Sequence, residues 1–585
     1  MILSNLNNLL SQIHSLTPKS PKGDFSPIQF QKTFAQKAPF RGLGVKCILI
    51  LFVYFLSLSI HAQVKNPILP GFYPDPSICR IDNDYYLVNS SFSYFPGVPI
   101  FQSTDLVHWK QIGHILDRPS QLKLINQGIS QGIYAPAISY HEGTYYMVTT
   151  LIGGEGGNFF VTAKNPAGPW SDPIWLRNVE GIDPSFYFDE NGKAYLLNNG
   201  PPPANVSLYD GHRALWMQEF DVKLQTLIGE RKIIVNAGTD ISKKPIWIEG
   251  PHIYKRNGFY YLMAAEGGTG EAHSEVIFRS KNIWGPYEVF SGNPILTQRD
   301  LPADRPNPIT SAGHADIVET PNGDWVSVFL ACQPYSENHY NTGRQTFFHP
   351  VDWSGEWPVI LENGKVIPEE TTSPLKPEEG KVSFYDYSAN WRDDFDDENL
   401  KLEWNFIRTP AEKWYTMEKG KLLINARPVS ISEVGNPSFI GRRVQFANSH
   451  FTAALTLEKE KELEAGIVMF QNEKFFYKLV VQQVADSSFL VVSSAKENIY
   501  KTTLPKYKPG NDIFLRFKAL ESDVFCEYSL NNKTWIPLGI TLDGRMLSTK
   551  VAGGFVGAYF GLYATARLPA TAKFDWATHV KIDKQ

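Results

Sequence analysis

Five segments of this chain repeat one plan: a small, acidic or imidazole residue, a Pro, Gly or Ala nearby, an apolar pair, a turn, and an aromatic-rich strand. They begin at Asp75 (DPSICRIDNDYYLVNSSF), Ala135 (APAISYHEGTYYMVTT), Asp183 (DPSFYFDENGKAYLLNNG), Glu249 (EGPHIYKRNGFYYLMAAEGG) and His314 (HADIVETPNGDWVSVFLAC). Four contain a tight-turn signal, at Glu142-Gly143, Asn191-Gly192, Asn257-Gly258 and Asn322-Gly323, so each segment reads as a β-hairpin. A second strand pair follows in FQSTDLVHWKQIG from Phe101, VTAKNPAGPWSDP from Val161 and IFRSKNIWGPYEVF from Ile277. A hairpin and a further strand pair, recurring every 50 to 65 residues or so, is the pattern of a propeller blade. The expectation is an all-β chain whose residues 63–370 form a five-bladed β-propeller; an irregular β-sandwich is the alternative.

The first strand of each blade lines the central axis of a propeller, so the five repeat starts should converge at one mouth of the channel. Asp75, Asp183, Glu249 and His314 would then be neighbours despite their separation in sequence. Asp75 lies within Pro-Asp-Pro, where each ring fixes its own φ and Pro76 biases Asp75 toward extended geometry. Carboxyls crowded in a partly dry pocket repel one another, so one is expected to stay protonated while another ionises. Glycoside hydrolysis uses such a division, with one carboxyl as proton donor and one carboxylate to activate water or attack. Acids that cap turns or hold a structural cation are the plainer reading of any one of them.

The stretch KCILILFVYFLSLSIHAQ has a basic residue, a short apolar run over about 47–62, and Ala62 before a cut, the form of a secretory signal within a leader of residues 1–62. The run is short for a bilayer span, so no stable span is expected after cleavage, although a single membrane anchor is the competing reading. The polar residues ahead of it suggest translation from Val45. The protein is therefore expected to be exported, to a periplasm, the cell surface or the medium. Cys79, Cys332 and Cys526 beyond the leader imply no disulfide framework. A net charge of −4 gives no reason to expect a nucleic-acid partner.

A Pro- and Glu-rich connector, residues 371–388, precedes a change of pattern. Residues 389–585 alternate with period two in HFTAALTL, EAGIVMFQ, FFYKLVVQQV and DIFLRFKAL, which predicts a two-sheet β-sandwich.

The motifs NPILPGFYPDPSI, GIDPSFYFDENGKAYLLNNG, WIEGPHIY, GHADIVETPNGDW and NTGRQTFFHPVDW resemble those of glycoside hydrolase family 43. These are inverting five-bladed propeller enzymes acting on β-xylosides and α-L-arabinofuranosides. The remaining segment resembles the lectin-like β-sandwich of the β-xylosidase branch. The resemblance implies that Asp75 is the general base, Asp183 the acid that tunes pKa and orientation, and Glu249 the general acid. Arg344 would contact the terminal sugar, Phe92 would wall the pocket or simply pack the blade, and Tyr134 stands where several relatives carry tryptophan. His314 matches an axial histidine that lies beside a water-coordinated calcium in many members; a satisfied core histidine is the other reading. A sandwich loop would close one side of the pocket, with GGFVGAYFGLYA as the candidate and Tyr559 or Phe560 at the lip.

The resemblance thus implies an exo-acting inverting hydrolase releasing terminal β-1,4-linked xylose from xylo-oligosaccharides, with α-L-arabinofuranosidase activity beside it or in its place. No cofactor is required for that chemistry, and a structural calcium in the channel is the one metal implied. A non-catalytic sugar-binding propeller is the rival from another class. The sequence leaves the sugar, the oligomeric state and independent carbohydrate binding by the sandwich open.

Overall fold

The computed structural model describes residues 62–378, 390–459 and 462–583. The leader and its apolar stretch lie outside the described residues, apart from Ala62, as does most of the connector. Among the described residues no helix is long and apolar enough to cross a membrane.

Three blades are four-stranded antiparallel sheets, and a fourth adds a short fifth strand, Leu296–Thr297. The first comprises Ser77–Ile81, Asp84–Val88, Gly97–Ser103 and Lys110–Leu116, and the second opens on Gly132–His141. The third opens on Ile182–Phe188 and the fourth on Glu249–Arg256. The fifth has only Thr310–Glu319, Trp325–Cys332 and Gln345–Val351. Its open edge is taken by the incoming chain. Leu69 bridges Thr346, and the Asn66 side chain imitates a strand, donating to the Phe348 carbonyl and accepting from the Phe348 N–H at 2.8 Å. Ala62–Lys65 then pairs with Glu370–Ser373. Ala62, expected to end the leader, and Thr371 to Ser373, expected in the connector, are therefore strand residues.

Apolar residues of adjoining blades interleave in separate clusters, such as Tyr146, Phe160 and Phe186 between the second and third and Leu197, Ile253 and Phe278 between the third and fourth. The hairpin turns divide by length. Glu142-Gly143 and Asn257-Gly258 have positive φ at both residues and close two-residue loops, whereas Asn191-Gly192 and Asn322-Gly323 sit in wider loops with only glycine at positive φ.

The C-terminal sandwich has two sheets, each of eight strands. One of these strands belongs to the propeller: Tyr94–Phe95 pairs with Asn405–Ile407 at the sheet edge. Tyr94 also stacks on Tyr559, ring centroids 3.8 Å apart. The chain thus welds the two domains through backbone pairing and a shared apolar core that runs from Val98 and Ile133 of the blades to Phe406 and Ile440 of the sandwich.

Candidate active site

The opening strands of the blades carry bulges near their starts, between Tyr134 and Ala137, Ile182 and Ser185, and Glu249 and His252. These bulges set the site. Asp75, Asp183 and His314 adopt φ of 51°, 54° and 53°, a left-handed conformation that short polar residues tolerate better than most. The extended geometry expected for Asp75 is therefore incorrect: it lies two residues ahead of the Ser77–Ile81 strand at positive φ, and its carboxyl lines the channel mouth.

The register also corrects the position of Glu249. Ile182 and Glu249 occupy corresponding places before their bulges, so Asp183 corresponds to Gly250, which has φ 58°. A side chain at Gly250 would meet the His314 ring at 2.9 Å. The fourth blade thus leaves the repeat position bare for His314 and supplies its acid from one residue earlier, where Tyr134 stands in the second blade.

Asp75, Asp183, Glu249, His314 and Arg344 converge on one cavity of about 320 Å³, with Phe92 and Tyr134 also in its wall. All the polar members are buried. Asp75 accepts hydrogen bonds from Ser90 Oγ at 2.6 Å and Arg344 Nη1 at 2.7 Å, the acceptor-only role of an ionised carboxylate. Arg344 Nε is buried without a partner. Burial, and then the Asp75 charge, push the Glu249 carboxyl up to about 8, against the opposing pull of Arg344 and Trp247. Burial and the neighbouring Glu249 and Asp75 hold Asp183 well above the ordinary carboxylate range. His314 is pushed down to about 4 by burial and is a neutral imidazole at pH 7.

Tyr559 is not at the lip. It is fully buried in the sandwich sheet against Tyr94, and Phe560 is buried against Phe451. Phe555, upstream in the same stretch, lines the cavity instead, 6.2 Å from the Phe92 ring and 5.9 Å from Tyr134. Its N–H donates to Ser130 Oγ at 3.0 Å, latching the sandwich loop to the propeller. The alternating AYFGLYA belongs to a strand, while Gly553-Gly554 marks the loop; that double glycine was the signal for Phe555. Ile246 and Trp247 complete the wall on the Glu249 side; Trp247 opens the motif WIEGPHIY, which alone does not disclose that role.

Asp183, Glu249 and His314 offer ligand atoms within 4.8 Å of one another. Calcium takes about six to eight oxygens, and these three residues supply one imidazole nitrogen and two carboxyls. The space beneath them, between Pro76, Pro136, Pro184 and His252, amounts to about 10 Å³, room for roughly one water. A calcium held here would take most of its ligands from waters, because these residues supply at most three.

Residues 64–358 match the family model of glycosyl hydrolases family 43, and residues 392–579 match the beta xylosidase C-terminal Concanavalin A-like domain. The chain belongs to glycosyl hydrolase family 43. It is a glycoside hydrolase with a five-bladed propeller and a Concanavalin A-like sandwich. This family 43 chain is 38% identical to a non-reducing end alpha-L-arabinofuranosidase of Bacteroides ovatus, over 90% of this chain and 97% of that protein. It is 39% identical to a xylosidase/arabinosidase of Butyrivibrio fibrisolvens, over 86% and 96%. A solved family 43 structure retrieved from a capybara gut metagenome superposes with a TM-score of 0.81 at 43% identity, covering 88% of this chain and 97% of that one.

Proposed function

We propose that this family 43 enzyme is an exo-acting, inverting hydrolase that releases terminal xylose from β-1,4-linked xylo-oligosaccharides and terminal α-L-arabinofuranose from hemicellulose side chains. One observation carries the reading: a carboxylate paired with arginine, Asp75, and a carboxyl kept protonated by burial, Glu249, face one cavity. Asp75 takes a proton from a water that attacks the anomeric carbon. Glu249 donates its proton to the leaving oxygen as the glycosidic C–O bond breaks. Asp75 ends protonated and Glu249 ionised, and exchange with solvent restores both. Asp183 supports the proton on Glu249 by its proximity. Arg344 keeps Nε for a sugar hydroxyl, while Phe92, Tyr134 and Phe555 face the apolar side of the terminal sugar.

The closed wall formed by Phe555 supports exo action, since it leaves room for a chain end and not for a continuing polymer. The arabinofuranoside activity is supported by the names of the two relatives at 38% and 39% identity. Export through the leader remains part of the proposal; a cut after Ala62 would leave Gln63 to Lys65 to pair with the 370–372 strand.

Side-by-side hydrolysis of nitrophenyl β-D-xyloside, nitrophenyl α-L-arabinofuranoside and xylo-oligosaccharides tests the reading. Turnover of the glycosides with release of single pentoses is expected. Binding without turnover of any of them would assign the protein to the sugar-binding class instead.

A further inference from the structure

Trp247 has φ 55°, a conformation that costs a bulky residue strain and is kept only where the surroundings enforce it. The enforcement is visible on both sides. The Trp247 N–H donates to the Gly211 carbonyl at 2.8 Å, and the Ile246 carbonyl accepts from Gly267 N–H at 2.8 Å, so two loops clamp the pair. Arg213 lies 3.9 Å from the centre of the indole ring. Arg213 is not part of the cavity wall whereas Trp247 is, so the guanidinium backs one face of the ring and leaves the other for the cavity.

The cavity therefore has two apolar walls of different position. Phe92 and Phe555 flank Arg344, at 5.8 and 6.0 Å from its guanidinium carbon, on the side of Asp75. Ile246 and Trp247 line the cavity in the segment that leads into the Glu249–Arg256 strand. Ile246 is 52% exposed although large and apolar, which places it at the mouth. The group that receives a proton from Glu249 must lie beside the ring that borders Glu249.

We propose that Trp247, backed by Arg213 and flanked by Ile246, is the stacking platform for the sugar on the leaving-group side. This rests on the proposed roles of Asp75 and Glu249. It makes Trp247 a specificity-determining residue: a pyranose ring beyond the cleaved bond stacks on the indole, and an aglycone with no ring gains nothing there. The groups that face Glu249 are Asp75, Asp183, Glu275, His314 and Arg344. None of these changes when Trp247 does, so the charges around the proton donor stay the same across the variants compared.

The test compares wild type, Trp247→Phe, Trp247→Ala and Arg213→Ala on a disaccharide and on the methyl glycoside of the terminal pentose that wild type releases. Both substrates need the proton, and only one has a sugar beyond the bond. Trp247→Ala should lose about tenfold more kcat/KM on the disaccharide than on the methyl glycoside, the size of a single aromatic stacking contact. Arg213→Ala should show the same preference more weakly, which covers a Trp247→Ala variant that fails to fold. Trp247→Phe should keep most of the disaccharide preference, because a smaller aromatic ring still stacks. Equal losses on both substrates would overturn the proposal. A wild type that turns over neither substrate would refute the reaction itself; calorimetric binding of xylobiose against xylose then decides the platform. Loss of the difference in Trp247→Ala supports it and retention of the difference overturns it.

Discussion

Arg344 Nη1 stands 2.7 Å from Asp75 Oδ1, an ion pair between residues 269 positions apart with side chains only 7% and 6% exposed. The pair ties the fifth blade to the first at the mouth of the channel. Removing one partner leaves the other charge buried and unpaired, which is strongly destabilising. Asp75→Asn should therefore lower kcat by about 10²–10⁴, the range for loss of a general base, and also lower the thermal midpoint. Steady-state kinetics and thermal unfolding read the two effects separately.

Glu249 fixes the alkaline side of the pH profile. Its protonated form is the donor, so kcat/KM should fall as pH rises through about 8. The linkage runs in the same direction. A carboxyl whose folded pKa lies above its unfolded value binds more protons when folded, so it favours folding at low pH and loses that contribution between about 4.5 and 8. Glu249→Gln should abolish activity toward oligosaccharides and raise the thermal midpoint relative to wild type more at pH 9 than at pH 5. Thermal scans at both pH values check this.

Phe555 tests the sandwich domain's part in the site. It is 37% exposed and held by one latch to Ser130, so its removal should leave global stability nearly unchanged. Phe555→Ala should raise KM for the terminal sugar by about tenfold, in line with the loss of one aromatic contact, with a smaller change in kcat. Kinetics beside a thermal scan separate a wall residue from a folding residue.

Asn66 tests the closure of the ring. It is 3% exposed and satisfies both the N–H and the carbonyl of Phe348. Asn66→Ala should leave two buried backbone groups unpaired, at about 1–3 kcal/mol each, and lower the thermal midpoint while leaving KM unchanged.

The propeller was legible because each blade is a local unit whose hairpin chemistry recurs in the chain. Asp75 and Asp183 were legible for the same reason, sharing one Asp-Pro-Ser position. Glu249 was aligned one residue out of place: Glu-Gly-Pro resembles Ile-Asp-Pro closely enough that only the bulge register reveals Gly250 as the partner of Asp183. What the repeat could not contain was anything supplied by another domain. Phe555 reaches the cavity only because Tyr94–Phe95 joins the sandwich sheet and carries that loop to Ser130. The same pairing explains why Tyr559, a plausible lip residue by composition, is stacked under the first blade. Trp247 opens the motif WIEGPHIY, but its role was not legible for a different reason, since that role depends on a left-handed backbone and on a cation from a distant loop.

The central claim is that water, held by Asp75, attacks from the side opposite Glu249 in a single displacement. Time-resolved proton NMR of the first-formed pentose, recorded before mutarotation, tests it most directly. Inversion, with α-xylose emerging first from a β-xyloside, is the predicted result. A first product with retained anomeric configuration would contradict the assignment of Asp75 as base.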